Sequence, residues 1–158
     1  MSPSITINPE HVEAIKALVA QAPFPAHMAM RLTAMDLDTC VVELAADKRH
    51  LQPYGILHGG VLATLLDTAT FWSAYMRIPE SAGLVNVDLK LNYLASVSGG
   101  LLTCEGRCVR PGRTISYAEA WVRDADGQLL AHGTSSLLAM PGKGLSLGVP
   151  KFLHPETP

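Results

Sequence analysis

The sharpest feature of the chain is the run Gln52-Pro-Tyr-Gly-Ile-Leu-His58-Gly59-Gly60, followed by Asp67 nine residues after His58. Two glycines at a helix start let a ligand come close to exposed backbone N–H groups. Those donors and the helix dipole favour a developing negative charge, which is what an oxyanion hole for acyl transfer requires. Asp67 falls in an otherwise apolar stretch, where a carboxylate is costly to bury unless it is paired or used. Eight residues separate Gly59 from Asp67, about 12 Å along one helix at ~1.5 Å per residue. One carbonyl cannot lie within about 3 Å of both. If the two act on the same acyl group, they must come from two antiparallel copies of the helix, an arrangement that a two-fold dimer supplies.

The elements that must position these residues follow from periodicity. Val61, Leu62, Leu65, Leu66, Ala69, Phe71, Trp72 and Met76 cover most of a helix circumference, and a helix apolar all round is buried on all sides. The stretch from Val61 to Met76 is short of the roughly 20 residues that cross a bilayer and carries Asp67, so it reads as a core helix. Asn8-Pro9-Glu10 starts an earlier helix, with Asn as cap and an acid near the positive end; Pro23 and Pro25 end it. Phe24 to Met30 reads as a turn or helix fragment and Leu32 to Ala46 as one long strand. Val85, Val87, Leu89, Leu91 and Tyr93 alternate with polar residues, the pattern of a half-buried strand. Leu101–Arg110, Thr114–Arg123 and Gln128–Ala139 complete the set. Pro111-Gly112 and Asp124-Ala125-Asp126-Gly127 are hairpin turns, and runs of hairpins make an antiparallel sheet. The expected architecture is α+β, an antiparallel sheet of about five strands wrapped around one long central helix. The expected organisation is an N-terminal helical segment (1–29), a main domain (30–140) and a tail with little regular structure (141–158).

Composition narrows the function classes. The chain has 158 residues, the length of one domain, and 16% charged residues against a typical value of about 25%. So small a charged fraction suggests surface covered by another subunit. A formal net charge of −2 rules out a polybasic nucleic-acid or membrane surface as the main business. The three cysteines, Cys40, Cys104 and Cys108, lack zinc-ligand spacing, so no metal is expected. No basic run followed by an apolar run opens the chain, so no signal peptide is expected, and the expected location is cytoplasmic.

The stretch from Gln52 to Asp67 resembles the signature of hotdog-fold thioesterases of the PaaI (phenylacetate-pathway) type. The resemblance extends over roughly Met30 to Met140. It takes in the strand Val85-Asn-Val-Asp-Leu-Lys-Leu-Asn-Tyr-Leu94, the turn Arg110-Pro-Gly-Arg-Thr114 and the hairpin exit Asp126-Gly-Gln-Leu-Leu-Ala131. It implies an acyl-CoA thioesterase built from hotdog dimers, either alone or paired into tetramers, with active sites at the dimer interface and no cofactor. Asp67 matches the catalytic acid, as nucleophile or as general base for water, and the Gly59 N–H matches the oxyanion donor. Gln52 matches the residue that helps hold the thioester carbonyl. Many PaaI-type members carry Asn there, and Gln looks more like the aryl and hydroxybenzoyl-CoA branch, whose acid is usually Glu. His58 matches the motif histidine near the thioester. Gly60 shares the helix start. Asn86 falls about where family members place a Ser or Thr that orients water. Gly112 and Arg113 match the turn that meets the nucleotide end of CoA.

Each residue also has a plain structural reading: Asp67 a satisfied interface acid, His58 a helix cap, Gly59 and Gly60 close packing, Gln52 a loop residue, Asn86 and Arg113 solvated. Two other functions share the fold. A hotdog dehydratase or hydratase needs a His and an acid poised on the acyl α and β carbons, whereas His58 and Asp67 stand at thioesterase spacing. A non-catalytic acyl-CoA binding or sensor module would not need the acid.

Overall fold

The computed structural model describes residues 6–153; the outer ends of the N-terminal segment and of the tail lie outside the described residues. In chain order the elements are β1 (Thr6–Ile7), α1 (Pro9–Gln21), α2 (Pro23–His27), β2 (Met30–Asp36), β3 (Thr39–Ala46), a 3-10 turn (Lys48–His50), α3 (Gly59–Tyr75), β4 (Ala82–Asn86), β5 (Lys90–Tyr93), β6 (Gly100–Arg110), β7 (Ile115–Arg123), β8 (Leu129–Pro141) and β9 (Phe152–Leu153).

The main sheet is antiparallel and seven-stranded, in the order β2-β3-β6-β7-β8-β4, with β5 also paired to β8. It wraps around α3 in the hotdog arrangement. Seven strands stand where five were expected because two of the expected strands are broken. Leu32 to Ala46 folds back on itself as a hairpin, Asp36 facing Thr39. No Gly or Pro marks that turn; Asp38 itself takes the left-handed conformation at φ 67°, which a short polar side chain tolerates. The strand expected around Val85–Tyr93 is interrupted at Val87–Leu89. The break also changes which face is buried. Leu84 and Asn86 turn toward α3, while Val85 and Val87 remain 38% and 53% exposed. Beyond the break Leu89 and Leu91 turn back onto the core. Val85 and Val87 therefore do not belong to the chain's own core.

Helix α3 is set hard against the sheet. The thiols of Cys40 and Cys104 donate to its Ala69 and Leu65 carbonyls. A Cβ at Gly106 would come within 2.2 Å of the Ala69 oxygen, so only glycine allows this approach. Leu65, Leu66, Ala69, Ala74 and Met76 are fully buried. The segment after β8 is mostly irregular but firmly held. Its β9 pairs with β1, and the Lys151 side chain is fully buried.

Candidate functional site

The N-terminus of α3 is built by the loop before it. Leu51 and Leu57 form an isolated bridge, closed by hydrogen bonds from Gln52 N to Ile56 O (2.9 Å) and from Gly55 N to Gln52 O (2.9 Å). Gly55 sits at φ 75° in that turn. The loop delivers His58 as the N-cap, whose Nδ1 accepts from the Gly60 N–H at 2.8 Å. Among the described residues nothing accepts from the Gly59 N–H. It opens on a cavity of about 380 Å³ that Gln52, Gly59, Leu62 and Tyr93 help to line. The structure thus brings Gln52 and Gly59 together. Tyr93, unassigned from the sequence, lies over them: a Cβ on Gly59 would meet its ring at 3.0 Å.

His58 and Gly60 face the other side of the helix start, into a cavity of about 260 Å³ shared with His27, Arg49, His50 and Thr64. The His58 ring is therefore a cap and is not in the Gln52–Gly59 cavity.

Asp67 lies in neither. It lines a third, mainly apolar cavity with residues of α1, α2 and β2, together with Phe71, Trp72 and Leu145. The side chain is exposed in the isolated chain. Even so, desolvation by the apolar walls raises its carboxyl above the ordinary aspartate range. One chain therefore does not bring Gly59 and Asp67 to a single point, as the helix arithmetic requires.

Asn86 braces the back of the Asp67 turn. Its Nδ2 is 3.1 Å from the Asp67 main-chain oxygen, 3.1 Å from Thr70 Oγ1 and 3.0 Å from Ser135 Oγ. The half-buried amide joins the buried hydroxyls of Thr70 and Ser135 in one polar network. Gly112 is locked in the β6–β7 turn, its N–H donated to Ser116 Oγ at 3.1 Å. A Cβ there would collide with the Ile115 oxygen. Arg113 projects into solvent beside it. Because β6 crosses α3 with Cys104 at Leu65 and Gly106 at Ala69, this turn lies toward the C-terminal half of α3, away from the chain's own Gly59. No helix among the described residues is long and apolar enough to cross a membrane.

The sequence signal for Tyr93 is weak, since it is one aromatic in an alternating strand. The N-terminal wall of the Asp67 cavity left no signal at all, because those residues meet α3 only in three dimensions.

Residues 54–131 match the family model described as Thioesterase superfamily. Among relatives, ComA2 of Bacillus subtilis is 30% identical over 94 residues, 59% of this chain and 75% of that protein. The 1,4-dihydroxy-2-naphthoyl-CoA hydrolase of Listeria monocytogenes is 27% identical over 101 residues, 64% of this chain and 82% of the relative. The crystal structure of a thioesterase family protein from Silicibacter pomeroyi superposes with a TM-score of 0.76 at 26% identity, covering 84% of this chain and 99% of that one.

Proposed function

Because the chain belongs to the thioesterase superfamily, we propose that it hydrolyses acyl-CoA thioesters to the free acid and CoA, at sites shared between two copies of the chain. The observation that carries this reading is the division of labour along α3. A backbone donor with no acceptor among the described residues opens the helix, and a carboxylate held in a separate cavity stands eight residues on.

In a two-fold dimer the Gly59 N–H and the Gln52 side chain of one protomer hold the thioester oxygen, and Asp67 of the other faces the carbonyl carbon. The carboxylate either attacks that carbon directly or takes a proton from water, whose oxygen then adds to it. The negative charge that gathers on the carbonyl oxygen is met by the Gly59 donor. As the carbonyl re-forms, the C–S bond breaks and CoA leaves as a thiolate; on the water route it recovers the proton from Asp67, and on the direct route water then hydrolyses the acyl–Asp67 anhydride, which releases the acid, restores the carboxylate and supplies the thiolate's proton. Asn86 positions Asp67 through its main chain, and His58 acts by holding the helix start in shape.

The apolar strip Val85, Val87, Tyr93 and Leu94 lies exposed along the β4–β5 edge and suits contact with a second copy. The outer sheet face, with Leu101, Val109, Ile115 and Tyr117 exposed, suits further pairing into a tetramer. A CoA ester is favoured by the Listeria relative, named as a CoA-thioester hydrolase, and by the exposed Arg113, which fits a nucleotide phosphate. A cytoplasmic location agrees with such a substrate.

The test is release of free thiol from short-chain, long-chain and aromatic acyl-CoAs by the wild type and by Asp67→Asn. Loss of a general base costs about 10²–10⁴ in rate, so turnover falls at least about 100-fold while binding of the CoA ester persists. In the wild type the acid limb of the rate profile lies above the ordinary aspartate value, about 3.9, because the raised carboxyl must be ionised to act. Unchanged turnover by Asp67→Asn sinks the mechanism. Tight binding with no thiol release by the wild type makes the chain a sensor module.

A further inference from the structure

We infer that the cavity beside Asp67 is the acyl-selecting pocket and that it takes uncharged, apolar acyl groups while rejecting those that end in a carboxylate. The inference rests on the thioesterase reading above and adds the substrate class. The cavity has a volume of about 350 Å³. An apolar cavity of roughly 150 Å³ admits benzene, so this one holds a group larger than a single ring, such as a phenylacyl or medium-chain acyl group.

Its chemistry is one-sided. Leu18, Phe24, Met30, Phe71, Trp72 and Leu145 supply most of the wall, and Asp67 and Thr68 are the polar lining residues. None of the lining residues is basic. A carboxylate at the far end of an acyl group would lose its water with no partner and would face Asp67, a charge of the same sign. A methyl in the same place is favoured by burial. The mouth is formed by large side chains that remain open to solvent, Leu18, Phe24 (57% exposed) and Leu145. They come from three separate segments and converge on one opening. Leu18, Phe24, Met30 and Leu145 all lie outside the span 54–131 that matches the family. The selecting wall thus combines residues of α3 with residues of the N-terminal helices and the C-terminal segment that lie outside that span.

The experiment titrates full-length Asp67→Asn with hexanoyl-CoA, glutaryl-CoA and acetyl-CoA, and measures wild-type rates on the same three esters. Hexanoyl and glutaryl groups are of similar length and differ in a terminal methyl or carboxylate. Hexanoyl-CoA is expected to bind at least about 10-fold more tightly than acetyl-CoA, from burial of its added methylenes, and at least about 30-fold more tightly than glutaryl-CoA, from the unpaired carboxylate. Wild-type kcat/KM follows the same order. Phe24→Arg, at a position exposed enough to tolerate the change, brings glutaryl-CoA to within a few fold of hexanoyl-CoA and shifts acetyl-CoA least of the three; Leu18→Arg does the same if Phe24→Arg does not fold. Equal affinity for hexanoyl-CoA and glutaryl-CoA overturns the inference. So does a Phe24→Arg effect of the same size on all three esters, or no binding of any. Failure of Asp67→Asn to slow turnover overturns the catalytic reading instead, and the affinity ratios still decide the pocket.

Discussion

The two ends of α3 are finished in opposite ways. At the C-terminal end the packing is closed, although the buried Nε2 of His11 has no partner among the described residues. Tyr75, Met76 and Ile78 are buried. The Lys151 ammonium, brought from the C-terminal segment, donates to Tyr75 O at 2.9 Å and to Ile78 O at 3.0 Å. It also stands 3.8 Å from the centre of the Tyr75 ring. His11 stacks on the other part of this cluster, ring centroids 6.3 Å from Tyr75, and its Nδ1 lies 3.0 Å from Val149 O. A cation at a helix C-terminus satisfies both the free carbonyls and the dipole. Its burial is costly, and desolvation lowers the Lys151 pKa to about 8. At the N-terminal end the His58 cap satisfies Gly60, and among the described residues nothing satisfies Gly59. The same helix thus offers stability at one end and an open donor at the other. On the reading proposed above, the open Gly59 donor is the group that meets the thioester oxygen.

Substitutions at the two ends should separate these roles. The largest effect is expected from Gly59→Val, whose side chain enters the cavity over the donor and pushes against the Tyr93 ring. Loss of an oxyanion donor costs about 10²–10³ in kcat, with little change in the urea midpoint; a fall in stability alone would make Gly59 a packing residue. Lys151→Ala should do the reverse. It takes the ammonium donor away from the Tyr75 and Ile78 carbonyls and leaves a cavity, so stability falls by about 2–4 kcal/mol, while kcat of the protein that remains folded stays the same. Its pH dependence sharpens the contrast. Between pH 8 and about 9.5 the unfolded chain keeps the Lys151 proton, near its usual pKa of about 10.4, while the folded chain releases it. The folded state then binds fewer protons, so stability rises with pH in this window, and the gap between wild type and Lys151→Ala widens. A constant gap would place the Lys151 pKa at its ordinary value. The smallest effect is expected from His58→Ala, which removes a cap worth about 1 kcal/mol and lowers the rate less than Gly59→Val does. An equal rate loss would make the imidazole a participant in the reaction.

Much of this was legible in the sequence, and the residues show why. Helix α3 was readable because its apolar residues surround it. The hairpins from 101 to 139 were readable because Pro111-Gly112 and Asp126-Gly127 announce their turns. The helical spacing of Gly59 and Asp67 already placed the two groups too far apart to share one carbonyl within a chain. The hairpin at Leu37-Asp38 was not legible, because an aspartate there takes the left-handed conformation without the usual glycine signal. The buried face around Asn86 was read the wrong way round. On an edge strand, alternation shows that two faces differ but not which one meets the chain's own core, and Asn86 is accepted inside because Thr70, Ser135 and the Asp67 carbonyl are there to bond it.

The amino-acid sequence by itself determined the elements and the chemical pairing carried by one helix, since both depend on hydrogen bonds and side-chain periodicities within a few residues. Only the tertiary structure decided what surrounds them. The Tyr93 ring over Gly59, the apolar wall around Asp67 and the Lys151 seal on Tyr75 join segments far apart in the chain, the last across 76 positions. Such contacts are chosen by the packing of the whole core, where the hydrophobic effect is non-directional and close packing admits few arrangements. No local pattern encodes them.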